Sequence, residues 1–316
     1  MLRRVLSNII AHILSFIIPS KIARDKQNFR LWERKGYHIT PVHYYEPIPN
    51  TATLKDELWK KESELVGVNI NEKSQINLLS LFSFEFKEEY DSFPRNKTSI
   101  RHQYYLNNAS FVNVDAEILY CMTRHFKPKR IFEIGSGYST FLTAQAVLKN
   151  KEEDANYECE FVAIEPYPNE TLKEGFLGLS KLLVKRIQDI PVSEFEKLKE
   201  NDILFIDSSH VLSIGSDIQY EYLEILPRLD KGVLIHIHDI FMPAEYPKEF
   251  VLKNHWFWTE QYLLQAFLTY NDCFEVLWAG SYMHLKHPDK LKTTFSSYDR
   301  DERWVGPGSF WMRKNK

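Results

Sequence analysis

From Arg130 onward the apolar residues gather into short unbroken runs, separated by longer stretches of mixed polarity. RIFEI (Arg130–Ile134), EFVAI (Glu160–Ile164), LLVKRI (Leu182–Ile187), ILFI (Ile203–Ile206) and GVLIHI (Gly232–Ile237) each read as a strand buried on both faces. Amphipathic spacing predicts helices over Ser139–Lys149 and Gly215–Leu226, the second stopped by Pro227. Strands that alternate with helices predict an α/β fold, a doubly wound and mostly parallel sheet. Two more strand candidates, Phe274–Leu285 and Ser309–Arg313, can pair at one edge and bring the sheet to seven strands.

The first hundred residues follow a different pattern. Leu2, Val5, Leu6, Ile9, Ile10, Ile13, Leu14, Ile17 and Ile18 recur at helical spacing, with Ser7, Asn8, Ala11, His12 and Ser15 on the other face. This predicts an amphipathic helix over residues 1–20, ended by Pro19 and too short and polar to span a bilayer. It can dock on its own protein or on a second subunit of a homo-oligomer. It can equally lie on a membrane surface, helped by Arg3, Arg4, Lys21 and Arg24. Residues 21–98 form an extension: an extended Pro-rich stretch at ITPVHYYEPIP, a short helix near Lys55–Leu65 and a second over Glu72–Tyr90, with Asn71 or Ser74 as cap. The polar stretch FPRNKTSIR places the start of the main domain, residues 99–316, near Ser99.

Charge narrows the partners. Forty basic against 43 acidic residues give a net charge of −3, so there is no broad positive field for a phosphate backbone, and nucleic acid is excluded as a partner. Cys121, Cys159 and Cys273 are odd in number and lack CxxC spacing, which excludes a disulfide framework and a thiolate zinc site and fits a reducing cytoplasm.

The chemistry gathers at strand ends. Glu133 near the end of the first strand is followed by Gly135, Ser136 and Gly137 ahead of a helix, a tight glycine turn where open α/β sheets bind ligands. The third glycine of a dinucleotide fingerprint would fall on Thr140, which argues against a nicotinamide cofactor. Glu165, after the second strand, is placed to accept hydrogen bonds from both ribose hydroxyls of an adenosine. Gln188 and Asp189 follow the third strand, where they can contact adenine or cap a turn.

The combination EIGSG, AIEPYP, ILFIDSSH and GVLIHIHDI resembles class I S-adenosylmethionine-dependent methyltransferases over Asp115–Lys316, with Ser139 where the commonest first motif has another glycine. The resemblance implies a Rossmann-like fold whose first motif wraps the amino-acid part of the cofactor, carried here by Glu133, Gly135 and Gly137, with Glu165 on the ribose. DSSH followed by HD is similar to the branch that methylates hydroxyls of small molecules, some members of which hold a divalent metal. Adjacent parallel strands lie about 4.8 Å apart, so Asp207 and Asp239 converge at one edge and can bind magnesium or a similar hard cation, with His238 able to join them. Without a metal, His210, one turn past Asp207, is the candidate general base. His236 shares an apolar strand face with His238 and reads as interior. The aromatic segment Phe241–Phe267 is expected to overhang the acceptor, and Tyr104, Tyr105, Asn107 and Asn108 to close the site from the other side.

The leading expectation is methyl transfer to a hydroxyl of a small-molecule or sugar-like acceptor, with Asp207, His210 and His238 as catalytic candidates. Two rivals stand beside it: a nicotinamide-dependent oxidoreductase, and a cofactor-binding but inactive scaffold attached to a membrane.

Overall fold

The computed structural model describes residues 25–298 and 306–316, together with Leu6, Ile9, Ile10, His12 and Ile13. Those five are helical and exposed, and the rest of the expected N-terminal helix lies outside the described residues. Among the described residues no helix is long and apolar enough to cross a membrane. The chain divides into two compact units, Met1–Asp56 and Glu57–Lys316. The smaller unit contains helix α1 (Lys26–Arg34), whose first turn is capped by the Asp25 carboxylate accepting from the Gln27 and Asn28 amides, and a 3₁₀ turn at Thr51–Thr53.

The larger unit is built on seven strands: β1 (Arg130–Ile134), β2 (Glu160–Ile164), β3 (Lys181–Leu183), β4 (Ile203–Ile206), β5 (Leu234–Ile237), β6 (Phe274–Ala279) and β7 (Phe310–Lys314). Their order is β3-β2-β1-β4-β5-β7-β6. The first five run parallel, and β7 inserts antiparallel between β5 and β6. Strand order reverses between β1 and β4, the position at which a crevice opens in such sheets.

Both faces of the sheet are covered, which is why its strands read as continuous apolar runs. On one face Ile131, Phe161, Phe205 and Trp311 pack under helices α2 (Glu72–Asp91), α3 (Asp115–Phe126) and α4 (Tyr138–Glu153). On the other, Phe132, Val162, Leu204 and Ile235 pack under the turn-rich run 217–228 and helix α5 (Glu260–Leu268). After β6 come two short helices, α6 (Gly280–Lys286) and α7 (Pro288–Thr294).

Several boundaries differ from the sequence reading, each for a local reason. The units divide at Asp56/Glu57 and not near Ser99, because α2 turns Leu79, Phe82, Phe86 and Tyr90 into the main core. Only a 3₁₀ turn, Asp56–Lys60, stands where a helix was expected over 55–65. Asn71 begins α2 but makes no side-chain cap; its φ is +51° and its amide donates to the Val276 carbonyl at 3.1 Å. The third strand ends at Leu183, and Ile187–Asp189 forms a 3₁₀ turn. The sixth ends at Ala279, where α6 starts. The run 217–228 passes from α through a π turn at Glu221–Ile225 to 3₁₀, and that widened turn buries Glu221, Tyr222 and Ile225 together.

Candidate active site

The glycine turn after β1 is fixed by its neighbours. Gly135 has a φ of +80°, and a Cβ there would stand 1.8 Å from the Asp207 carbonyl oxygen, so the turn and the end of β4 touch through bare backbone. The Gly135 amide donates to the Ile164 carbonyl at 3.0 Å, which ties the same turn to β2. Gly137 has open space where a side chain would project, and its amide donates to the Thr140 hydroxyl at 2.9 Å. Glu133 is fully buried beneath the turn: Ser139 donates to its Oε1 at 2.5 Å, while Oε2 has no partner. Burial pushes its carboxyl up to about 8. The Ser136 hydroxyl is also buried and without a partner.

Glu165 sits at the end of β2, half-buried, accepting from the Tyr167 amide at 2.7 Å and the Ser136 amide at 3.4 Å. Gly135, Glu165, Gln188 and Asp207 line one cleft of about 340 Å³. Hollows of about 490 and 540 Å³ elsewhere are larger, but neither gathers strand-end motifs, so chemistry and not size selects the site. Asp189 is not among the cleft-lining residues: Arg186 holds both its carboxylate oxygens, at 3.0 and 2.9 Å.

An adenosine-bearing cofactor fits this arrangement. Two buried polar atoms lack partners beside an open glycine, the Glu165 carboxylate lines the cleft just past β2, and Gln188 lines the same cleft while its amide donates to the Gly215 carbonyl at 3.1 Å.

A second cluster adjoins the cleft at Asp207. His210 Nε2 lies 3.4 Å from Asp207 Oδ1 and 3.5 Å from Asp239 Oδ2. His238 Nδ1 lies 3.5 Å from Asp207 Oδ1 and 3.8 Å from Asp239 Oδ1. One donor atom each from Asp207, His238 and Asp239 falls within 4.8 Å of the others, a group able to hold a metal ion. Burial alone would raise the Asp207 carboxyl, but the His238 and His210 imidazoles outweigh it and hold it well below the usual range. Burial opposes charge on both imidazoles too, yet Asp207 and Glu260 raise His210, and Asp207 and Asp239 raise His238. Asp239, with a φ of +56°, is raised by burial.

Three carboxylates in this cluster carry no sequence signal for such a role. Glu260, at the start of α5, accepts from or donates to His210 Nδ1 at 2.9 Å and accepts from the Tyr222 hydroxyl at 3.1 Å, at 0% exposure. Asp115, at the start of α3, faces His238 Nε2 at 3.4 Å and accepts from the Gly308 and Ser309 amides at 2.8 and 2.9 Å. Glu221 is buried by the π turn against the Ser208 hydroxyl, which donates to it at 3.1 Å. An acid in the first turn of a helix ordinarily faces water, so only the fold reveals that these face inward.

Of the flanking residues, His236 is interior, stacked on Phe205 at 4.0 Å with Nε2 at 2.8 Å from the Ser309 hydroxyl, and burial drives its imidazole well below the usual value. Trp258 packs on His210 at 4.5 Å and carries Trp256 on its outer face, 5.1 Å away and 14° from parallel; the outer ring remains 44% exposed. Tyr104 is spent in the core, donating to the Phe111 carbonyl, Asn107 donates to the Asn96 side chain, and Asn108 serves a local turn. Only Tyr105 reaches the glycine turn, its hydroxyl 2.8 Å from that of Tyr138.

Residues 132–240 match a family model described as a methyltransferase domain. An uncharacterised protein of Archaeoglobus fulgidus is 33% identical over 176 residues, which make up 53% of this chain and 77% of that protein. Among solved structures, the apo structure of CmcI aligns over 72% of this chain and 84% of its own, at 13% identity and a TM-score of 0.35. A putative protein-L-isoaspartate O-methyltransferase of Plasmodium falciparum, in complex with S-adenosyl-L-homocysteine, aligns over 52% and 75%, at 14% identity and a TM-score of 0.29.

Proposed function

The chain belongs to the class I S-adenosylmethionine-dependent methyltransferases, and on that premise we propose that it methylates a hydroxyl oxygen of a small-molecule acceptor held beside Asp207 and the Trp256–Trp258 stack. The observation that carries this reading is the orientation of His210. Its Nδ1 is held by the buried Glu260, and its Nε2 faces the edge where Asp207 adjoins the cofactor cleft.

S-adenosylmethionine supplies an electrophilic methyl group on its sulfonium. Gly135 and Gly137 let the backbone approach its amino-acid end, with Glu133 Oε2 and the Ser136 hydroxyl free to meet polar atoms there. Glu165 would accept from the ribose hydroxyls and Gln188 would bound the base, since both line the cleft. His210, in its neutral form, would take the acceptor's proton at Nε2, and Glu260 would steady the resulting imidazolium; because Asp207 and Glu260 already favour the charged ring, the rate is expected to rise with pH as that ring loses its proton. Trp256 offers an open aromatic face to a ring or sugar face of the acceptor. Most of the rate comes from holding oxygen and methyl in line.

The family match leaves the nicotinamide reading and the inactive scaffold without support. A divalent cation on Asp207 and Asp239 is a second reading with its own observation, the convergence of their donor atoms with that of His238. Such an ion would acidify the acceptor hydroxyl and share the work of His210.

The test is to supply ¹³C-methyl S-adenosylmethionine and the protein to a small-molecule extract from cells lacking the gene. A labelled methoxy carbon that vanishes with His210→Ala is expected. Label on nitrogen, sulfur or carbon, or no labelled product at all, overturns the proposal.

A further inference from the structure

We propose, resting on the cation reading of this site, that His238 is a metal ligand fixed by Asp115, and that the site therefore selects an imidazole-preferring transition cation of the cobalt and zinc class over magnesium. His238 is buried, with its two ring nitrogens turned to opposite duties. Nδ1 faces Asp207 and Asp239 at 3.5 and 3.8 Å, while Nε2 faces Asp115 Oδ2 at 3.4 Å. Asp115, beyond the roughly 2.7–3.2 Å of an N–H···O hydrogen bond, acts on Nε2 through its charge and fixed position, and the two Nδ1 contacts exceed that range as well. The Nδ1 contacts approach the spacing of ligand atoms around one centre, since bonds of about 2.1 Å in a tetrahedron place neighbouring ligands about 3.4 Å apart.

A carboxylate behind the far nitrogen is how proteins fix the tautomer and tilt of a ligating imidazole. Asp115 is fixed in place for that task. It is 3% exposed, and its two oxygens are pinned by the Gly308 and Ser309 amides, so it cannot swing away from His238. Gly308 also packs on the Asp239 backbone, where a Cβ would stand 3.0 Å from Asp239 Cα. One short segment therefore sets both the ligand Asp239 and the brace of the ligand His238.

Donor chemistry then decides the ion. Magnesium takes oxygen ligands and keeps much of its water, whereas imidazole nitrogen suits borderline transition cations. With the imidazole nitrogen of His238 beside the two carboxylates, the preference shifts toward the second class.

The experiment titrates the cation-free full-length protein separately with Co²⁺, Zn²⁺ and Mg²⁺ by calorimetry, and records proton NMR of the Co²⁺ form. Co²⁺ and Zn²⁺ are expected to bind at least about 100-fold more tightly than Mg²⁺. The Co²⁺ protein should show a hyperfine-shifted ring N–H that exchanges with solvent, the mark of a ligating imidazole. Asp115→Asn should weaken Co²⁺ binding about 10–100-fold, and His238→Asn should remove both that affinity and the shifted N–H while leaving Mg²⁺ binding in place. Asp207→Asn with Asp239→Asn should abolish binding of all three ions. Binding of Mg²⁺ as tight as that of Co²⁺, or a Co²⁺ form without the shifted N–H, overturns the assignment of His238 and leaves the cation reading standing. Failure of all three ions to bind, or binding that survives the double substitution, overturns both.

Discussion

The backbone carbonyl of Asp207 stands so close to Gly135 that a single added methyl would lie 1.8 Å from it. Gly135 also holds a φ of +80°, so alanine there meets both a clash and a strained backbone. We expect Gly135→Ala to cost about 2–4 kcal/mol in urea unfolding and to weaken S-adenosylhomocysteine binding by at least about tenfold, as the turn and the end of β4 are driven apart. Gly137 supplies the contrast, since it has open space around it. Gly137→Ala should stay within about 1 kcal/mol of the parent and still lose cofactor affinity, because the methyl fills room meant for the ligand.

Glu133 predicts a pH dependence of stability. Its folded-state carboxyl, at about 8, lies above the 4.5 of an unperturbed glutamic acid, so the folded chain keeps a proton that the unfolded chain releases. The contribution to stability is full below the unfolded value and is lost as pH rises through about 8. Between about pH 6 and about pH 9 the parent should lose about 3 kcal/mol through this one group. Glu133→Gln cannot ionise and should lack that part of the slope. Urea midpoints of the two proteins at both pH values check it; parallel declines would contradict the assignment.

Phe82 and Phe84 lie two residues apart on α2 and should behave as opposites. Phe82 is fully buried in the main core, whereas Phe84 is 89% exposed. Phe82→Ala should cost about 3–5 kcal/mol, and Phe84→Ala less than about 0.5 kcal/mol. Equal, small effects would mean that α2 belongs to a separable extension after all.

These contrasts show what the sequence could express. Strands β1, β2 and β4 are legible to the residue because each is a short, mostly apolar run whose interior is buried on both faces, Glu133 being the one buried acid within them. Helix α3 is not, for the same reason: every residue from Asp115 to Arg124 is buried, so no polar stripe marks a period. The glycine turn after β1 is legible because glycine spacing reports backbone demands directly. Glu165 and Asp207 are legible because they end recognisable strands. Asp115, Glu221 and Glu260 are not, since their burial depends on which elements pack against them: the Gly308–Ser309 segment on Asp115, the π turn at Glu221, and His210 with Tyr222 on Glu260.

Glu260 gives the most direct test of the second cluster. Burial alone would lower the His210 imidazole, yet Asp207 and Glu260 hold it well above its ordinary value. A histidine raised in this way contributes stability that is full below the unfolded value of about 6.5 and is lost as pH rises through the folded one. Glu260→Gln keeps the shape of the side chain and its oxygen but removes the charge. In the cation-free protein the His210 ring proton, followed by NMR, should titrate at lower pH than in the parent, and the associated loss of stability should move down with it. Tyr222→Phe removes a donor to Glu260 and leaves its charge in place. Its effect on His210 should therefore be the smaller of the two, and a titration unchanged in Glu260→Gln would show that Asp207 and Asp239 alone set the imidazole.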